Sequence, residues 1–267
     1  MGQILCTFSG QLGDVLWSMP TVREQSRVSN LVGIKVDFAT MPCCRSLVPL
    51  LKEQPYINEA FVLEEWEEKG RPFGCQPWLS PNFPERNDYD FVLDLTYRCH
   101  PYGTFLANWI FREAGWNRDL SPDDIPFLEV PRYAWSFGED IPFPVVAVAF
   151  NDMFADKKQV FLAEVKHRLP TVAFIEVQKM DWIHAASVIR SAMGFLGCRS
   201  SNYVLAHGLG KRVLVFEPHP ARCAPVFDFP IGKETEVRTA DQVKEMVDTW
   251  LVEWKEAKHE SAVSDTR

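Results

Sequence analysis

Apolar runs of strand length alternate along the chain with segments of helical periodicity. Residues 3–8 (Gln-Ile-Leu-Cys-Thr-Phe) form a short apolar strand, a glycine-containing turn runs from Ser9 to Asp14, and Val15 to Arg23 reads as a helix. Residues 33–40 give a second strand, 43–53 a helix and 60–63 a third strand. The rhythm breaks at 65–88, where Pro, charge and aromatics crowd together as in a long surface excursion open to a substrate or partner. Strand 89–97 and an apolar-faced helix over 103–114, ended by Gly115, restore it. Arg98 and His100 fall between these two elements. Strand ends are where open α/β sheets hold ligands, so both are candidates for acceptor contacts, beside the plainer reading of surface polar residues.

Five prolines between Ser121 and Pro144, with no periodic run, mark the best linker. A second series follows: strand 145–150, helix 157–168, strand 171–176, helix 181–192, then a strand, turn, helix and strand between Met193 and Pro218. The last helix spans 240–258 with Val243, Met246, Val247, Trp250, Leu251 and Trp254 on its apolar face, and a polar tail expected to be disordered occupies 259–267. The alternation predicts an α/β protein of two Rossmann-like domains, residues 1–135 and 136–258, facing each other across a cleft.

Composition narrows the partners. With 46% hydrophobic and 24% charged residues in a chain of 267, the protein has the make-up of an ordinary globular chain large enough for two such domains. A net charge of −8 supplies no broad basic field for nucleic acid or an anionic membrane, so a phosphate ligand has to be held locally. No window approaches the ~20 apolar residues of a membrane span, and the first residues run straight into a strand pattern without a basic and apolar leader, which predicts a cytoplasmic protein. The seven cysteines are scattered rather than set in paired knuckles, which points to reduced thiols and neither a disulfide framework nor a structural zinc site.

Two turns carry the candidate chemistry. After the run Met193–Leu196 come Gly197 and a small polar cluster, Ser200, Ser201 and Asn202, that opens a helix. A strand that stops at glycine and restarts as a capped helix aims unpaired backbone N–H groups and the positive helix end into one place, where a diphosphate would be stabilised. The same pattern also describes an ordinary βα turn without a ligand. At the first turn, Gly10 and Gly13 permit close backbone approach, but the Lys-Ser/Thr of a P-loop and the third glycine of a dinucleotide fingerprint are missing. Asp14 there is either a helix N-cap or a carboxylate presented for acid–base work.

Gly13-Asp14-Val-Leu-Trp-Ser-Met-Pro20-Thr-Val-Arg23 resembles the opening motif of the heptosyltransferase-like glycosyltransferases (family 9, GT-B fold), and Gly197 to Pro218 resembles their donor-site segment. The resemblance implies an N-terminal acceptor-side domain that supplies an aspartate and a C-terminal domain that binds a nucleotide-diphospho-sugar. Carried over by residue, Asp14, beside Gly13, is the general base. Ser200, with Ser201, Asn202 and the adjacent N–H groups, holds the diphosphate. Lys157 or Lys158 neutralises the leaving diphosphate, and Glu176 accepts hydrogen bonds from the ribose. The segment departs from the family pattern at Arg199, where an Asp is usual, at Ser201 in place of Gly, and at Val204 in place of His; Arg199, facing the cleft, would then offer the phosphates a bidentate charge. The implied activity is transfer of a sugar from a nucleotide-diphospho-sugar to a glycan or other hydroxyl acceptor, with no metal and no cofactor beyond the co-substrate. It involves no nucleic acid and no transmembrane segment, and a peripheral membrane contact is compatible with it. A non-catalytic GT-B-like binding protein and a sugar-nucleotide epimerase are the alternatives.

Overall fold

A computed structural model of the chain describes residues 2–64, 88–96, 106–131, 143–150, 155–216 and 234–264. Most of the expected surface excursion at 65–88, and both Arg98 and His100, lie outside the described residues. The chain divides into two compact units, one carrying the first four strands and the other the last five.

In the N-terminal unit, β1 (Gln3–Phe8), β2 (Lys35–Thr40), β3 (Ala60–Val62) and β4 (Phe91–Asp94) lie in the order β3-β2-β1-β4 and pair in parallel throughout. Cys6 in β1 stands opposite Phe38 on one side and Leu93 on the other. The first helix, α1 (Leu12–Asn30), starts earlier than its apolar pattern predicts, because Gln11 and not Asp14 occupies the N-cap. A 3-10 turn (Pro42–Leu47) leads into α2 (Val48–Lys52), and α3 (Leu106–Glu113) packs against α1. Asp37 is buried within β2 and fully used. Its Oδ1 accepts from Asn58 Nδ2 at 2.7 Å and from the Glu59 N–H at 3.0 Å, and its Oδ2 accepts from the Tyr89 hydroxyl at 2.9 Å. Three hydrogen-bond donors on one carboxylate make its burial tolerable.

The proline-rich stretch expected to link the halves begins as part of this unit. Arg23 of α1 donates to the carbonyls of Pro126 (2.7 Å) and Asp124 (2.6 Å), Gln54 and Glu129 exchange two hydrogen bonds, and the Tyr56 hydroxyl donates to Phe127 O at 2.7 Å. Phe127, Leu128 and Val130 are buried. A segment short of its own ladder can still dock when neighbouring side chains satisfy its backbone.

In the C-terminal unit, β5 (Val145–Ala149), β6 (Ala173–Glu176), β7 (Gly194–Gly197), β8 (Val213–Phe216) and β9 (Glu234–Val237) form a parallel sheet in the order β6-β5-β7-β8-β9. Its helices are α4 (Ala155–Arg168), α5 (Trp182–Ser191), α6 (Ser201–Gly208) and α7 (Ala240–Ser264). Every residue of β5 is buried, as the unbroken Val-Val-Ala-Val-Ala run requires of a parallel strand covered on both faces. Strand β9 was not expected from sequence. Along α7, Val243, Val247 and Trp250 turn inward onto Val146, Leu196 and Leu214. The tail expected to be disordered from His259 continues α7 to Ser264, since its Glu, Ser and Ala include no helix breaker.

Trp250 also explains a glycine. A Cβ on Gly194 would lie 2.2 Å from the Trp250 ring, whose residue is only 3% exposed. Gly194→Ala should therefore overpack the α7 face and lower unfolding stability by about 1–3 kcal/mol. An unchanged urea midpoint for that variant would show that the ring is not fixed against β7.

Candidate functional site

Both sheets have a point where strand order reverses, and in open α/β sheets the crevice beyond the strand C-termini at that point is where ligands bind. In the N-terminal unit it lies between β1 and β4. The two strand ends are tied there by Ser9, whose N–H donates to Thr96 Oγ1 at 3.0 Å and whose hydroxyl lies 3.0 Å from the same oxygen. Gly10 follows at a point of close approach, since a Cβ on it would fall 2.1 Å from the Phe8 ring and 2.7 Å from Asp14 Cβ. Gly13 and Asp14 then form part of the first turn of α1, both half-buried. The Asp14 carboxylate accepts the Gln11 N–H at 3.2 Å. It is thus the third-position acid of a capping box and not the N-cap, and it stands at the positive end of a 19-residue helix.

In the C-terminal unit the reversal lies between β5 and β7. Gly197 closes β7 so near β5 that a Cβ would lie 2.2 Å from the Ala149 carbonyl oxygen, and the next N–H, of Cys198, donates to that same oxygen at 3.2 Å. Ser200 is the N-cap of α6 in extended conformation, yet its hydroxyl does not cap the helix. Ser200 Oγ is buried and has no hydrogen-bond partner. Ser201 is half-buried and Asn202 buried in the first turn, where backbone N–H groups lack intrahelical acceptors. A buried hydroxyl left over beside the first N–H groups of a helix, at a switch point, is an arrangement that suits an anion's oxygens.

Arg199 meets two carboxylates within the C-terminal unit. Its Nη2 lies 2.8 Å from Glu234 Oε1 and 3.0 Å from Glu236 Oε1, both on β9. Glu234 also accepts the Tyr203 hydroxyl at 2.6 Å, and His207 Nε2 stands 3.7 Å from the same oxygen. Tyr203 and His207 are buried on α6 with their rings edge to face at 4.6 Å. Burial by itself would raise the Glu234 pKa; His207, the Tyr203 hydroxyl and the Arg199 charge outweigh it and hold the carboxyl below its ordinary value. The same burial, reinforced by the Glu234 charge, pushes the Tyr203 phenol up. Sequence reasoning missed Glu234 because a Glu-Thr-Glu-Val strand carries almost no apolar signal.

The remaining predicted residues separate. Lys158 is buried at 4% exposure, whereas Lys157, one step round α4, lines an open cavity. Glu176 ends β6, beside β5 at the strand C-termini, exposed and 3.9 Å from Lys166. Among the described residues no three His, Cys, Asp or Glu side chains are grouped to hold a metal, and no helix is long and apolar enough to cross a membrane.

No family model and no curated protein matches the chain. Solved structures do match over nearly its whole length. ADP-heptose LPS heptosyltransferase II of E. coli aligns with 95% of this chain and 99% of its own, at 13% identity and a TM-score of 0.59. The fold is that of the heptosyltransferases. The family 9 glycosyl transferase of Veillonella parvula DSM 2008 aligns with 93% of this chain and 89% of its own (12% identity, TM-score 0.60). E. coli heptosyltransferase WaaC, solved with ADP-2-deoxy-2-fluoro heptose, aligns with 92% and 99% (12% identity, TM-score 0.53). The expected α/β class and the likeness to family 9 thus hold at the level of fold.

The Glu234 cluster makes a pH-dependent contribution to stability with a defined sign. A carboxyl whose pKa is lowered by folding adds stability above its unfolded pKa, and that stability is lost as pH falls through the folded value. Glu234→Gln should cost about 2 kcal/mol at neutral pH in denaturant unfolding. The gap to wild type should close as the carboxylate range is crossed toward acid; a gap that does not change with pH would remove the ionised carboxylate from the account.

Proposed function

We propose that the protein is a glycosyltransferase that moves a sugar from a nucleotide-diphospho-sugar to a hydroxyl acceptor. The observation that carries this reading is Ser200 Oγ, buried and without a partner at the switch point of a sheet whose fold is that of nucleotide-sugar enzymes. In the reaction, Asp14 takes the proton of the acceptor hydroxyl as its oxygen bonds to the anomeric carbon. The bond from that carbon to the diphosphate oxygen breaks, and its electron pair leaves with the nucleoside diphosphate. Ser200 Oγ and the N–H groups of Ser201 and Asn202 meet the charge that grows on the leaving oxygen.

Of the two lysines, Lys158 is assigned to the diphosphate and Lys157 to the cavity it lines. Glu176 takes the ribose hydroxyls from the end of the strand next to β5, the position an acidic residue holds in dinucleotide sheets. Arg199 is assigned a supporting role through Glu234 and Glu236. ADP and an ADP-heptose analogue occupy structures of E. coli WaaC, so ADP is the first nucleotide to test.

Two substitutions separate binding from catalysis. Ser200→Ala should leave the unliganded melting temperature nearly unchanged, because the hydroxyl does not cap α6, while shrinking the rise that millimolar ADP produces. A loss of stability without ADP would make Ser200 a structural cap and remove the main support for the site. Asp14→Asn should keep the ADP shift and lower kcat by about 100-fold or more in a transferase assay with ADP-sugars. An active enzyme whose rate survives that change does not use Asp14 as its base, and a chain that binds ADP without turnover in any form is the non-catalytic relative.

A further inference from the structure

Cys43 and Cys44 stand side by side on the 3-10 turn that follows β2, and neither is in a disulfide. Successive residues of such a turn point about 120° apart, so neighbouring side chains do not ordinarily meet. Here they do: the two Sγ atoms lie 3.8 Å apart. Cys43 is exposed and Cys44 is buried. Cys44 Sγ also lies 3.3 Å from the Gly10 carbonyl oxygen. A carbonyl only accepts, so this sulfur carries its proton and donates it to the loop between β1 and α1.

The two sulfurs are better placed to share a third atom than to bond each other. A trans peptide holds adjacent Cα atoms about 3.8 Å apart, below the ~4.4–6.8 Å that disulfides usually span, so closing an S–S bond would force the backbone. A single centre between the sulfurs asks for no such movement. With sulfur bonds of about 2.3 Å, the length zinc makes, a separation of 3.8 Å subtends an angle of about 110°. A divalent cation, however, needs thiolates and commonly four ligands. One thiol here is protonated towards Gly10, and among the described residues no three His, Cys, Asp or Glu side chains are grouped. The centre that suits the pair bonds sulfur strongly, takes two protein ligands and condenses with a neutral thiol. Trivalent arsenic with one organic substituent has these three properties. Its bonds to sulfur are of similar length, and its narrower angle is reached by rotating the exposed Cys43 side chain alone.

We propose that Cys43 and Cys44 form a dithiol site for a monosubstituted arsenic(III) compound, bridged through its arsenic. Two As–OH bonds break as two As–S bonds form, each thiol proton leaves with a hydroxide as water, and arsenic stays trivalent throughout. The site does not need the nucleotide-sugar reading. Bridging takes the Cys44 donor from the Gly10 carbonyl, in the loop that leads to Asp14, so a fall in transferase rate follows only if that reading holds. The test is intact-mass spectrometry of the full, reduced chain equilibrated with phenylarsonous acid and millimolar glutathione. One phenylarsenic per chain is expected, retained against glutathione, a monothiol, and released by dithiothreitol, whose two thiols compete as a pair. Cys43→Ala loses the chelate, so binding should weaken about 100-fold or more. Because Cys43 is exposed, that variant should melt with the wild type. Cys44→Ser, which keeps a donor for Gly10, should weaken binding equally. Wild-type retention in either variant, a wild-type adduct that glutathione strips, or closure of a disulfide mapped to residues 43 and 44 by glutathione disulfide would each overturn the assignment. Failure of the nucleotide-sugar reading shows separately, as absence of an ADP-induced melting shift, and leaves the adduct unaffected.

Discussion

The C-terminal unit depends on a missing side chain. Because residue 197 is glycine, the end of β7 can approach the Ala149 carbonyl of β5 more closely than any Cβ would allow. That approach lets the Cys198 N–H reach the same carbonyl, so the chain leaves the sheet at a fixed angle. The turn that follows can then raise Ser200 into the N-cap position of α6 at the reversal of strand order. Position, and not side-chain charge, makes this turn suited to an anion.

The polar cluster behind the turn holds α6 from the other side. Glu234 on the edge strand β9 takes Arg199 from before the helix and Tyr203 from its first turn, so one carboxylate spans the helix start. Buried ionic groups gain little net stability over apolar ones of the same shape, and their clearer consequence is a single arrangement. Here that arrangement fixes the residues flanking Ser200. Arg199 thus comes with its own counter-charges, which lie 35 and 37 residues later in the chain.

Those distances also explain what the sequence could and could not reveal. Strand β5 and the inward face of α7 were legible because their signal is local: an unbroken apolar run in one, Val243, Val247 and Trp250 at helical spacing in the other. The glycine that ends β7 and the serine before α6 were legible for the same reason. Strand β9 was not, since Glu-Thr-Glu-Val becomes a strand by pairing with β8 and answering Arg199, facts that no window of neighbouring residues contains. The start of α1 was hidden by its cap: Gln11 lacks the usual Ser, Thr, Asp or Asn, and the acid that satisfies its N–H is Asp14, three residues on. The stretch from Ser121 to Pro131 looked like a linker because its order comes from Arg23, Gln54 and Tyr56, each far away in sequence.

The charge balance at the two turns agrees with the acidity of the whole chain. With a net charge of −8, no long-range field draws a phosphate ligand in, and Arg199, next to Ser200 in the chain, is already met by two carboxylates. Beside the Lys158 ammonium assigned to the diphosphate, the attraction left is short-ranged: a buried hydroxyl, the first N–H groups of α6 and the partial positive end of that helix. Neutral hydrogen-bond donors of this kind act within one ligand radius and depend on geometry, which is why a clash of a single Cβ at residue 197 would matter more to such a site than the removal of a distant surface charge.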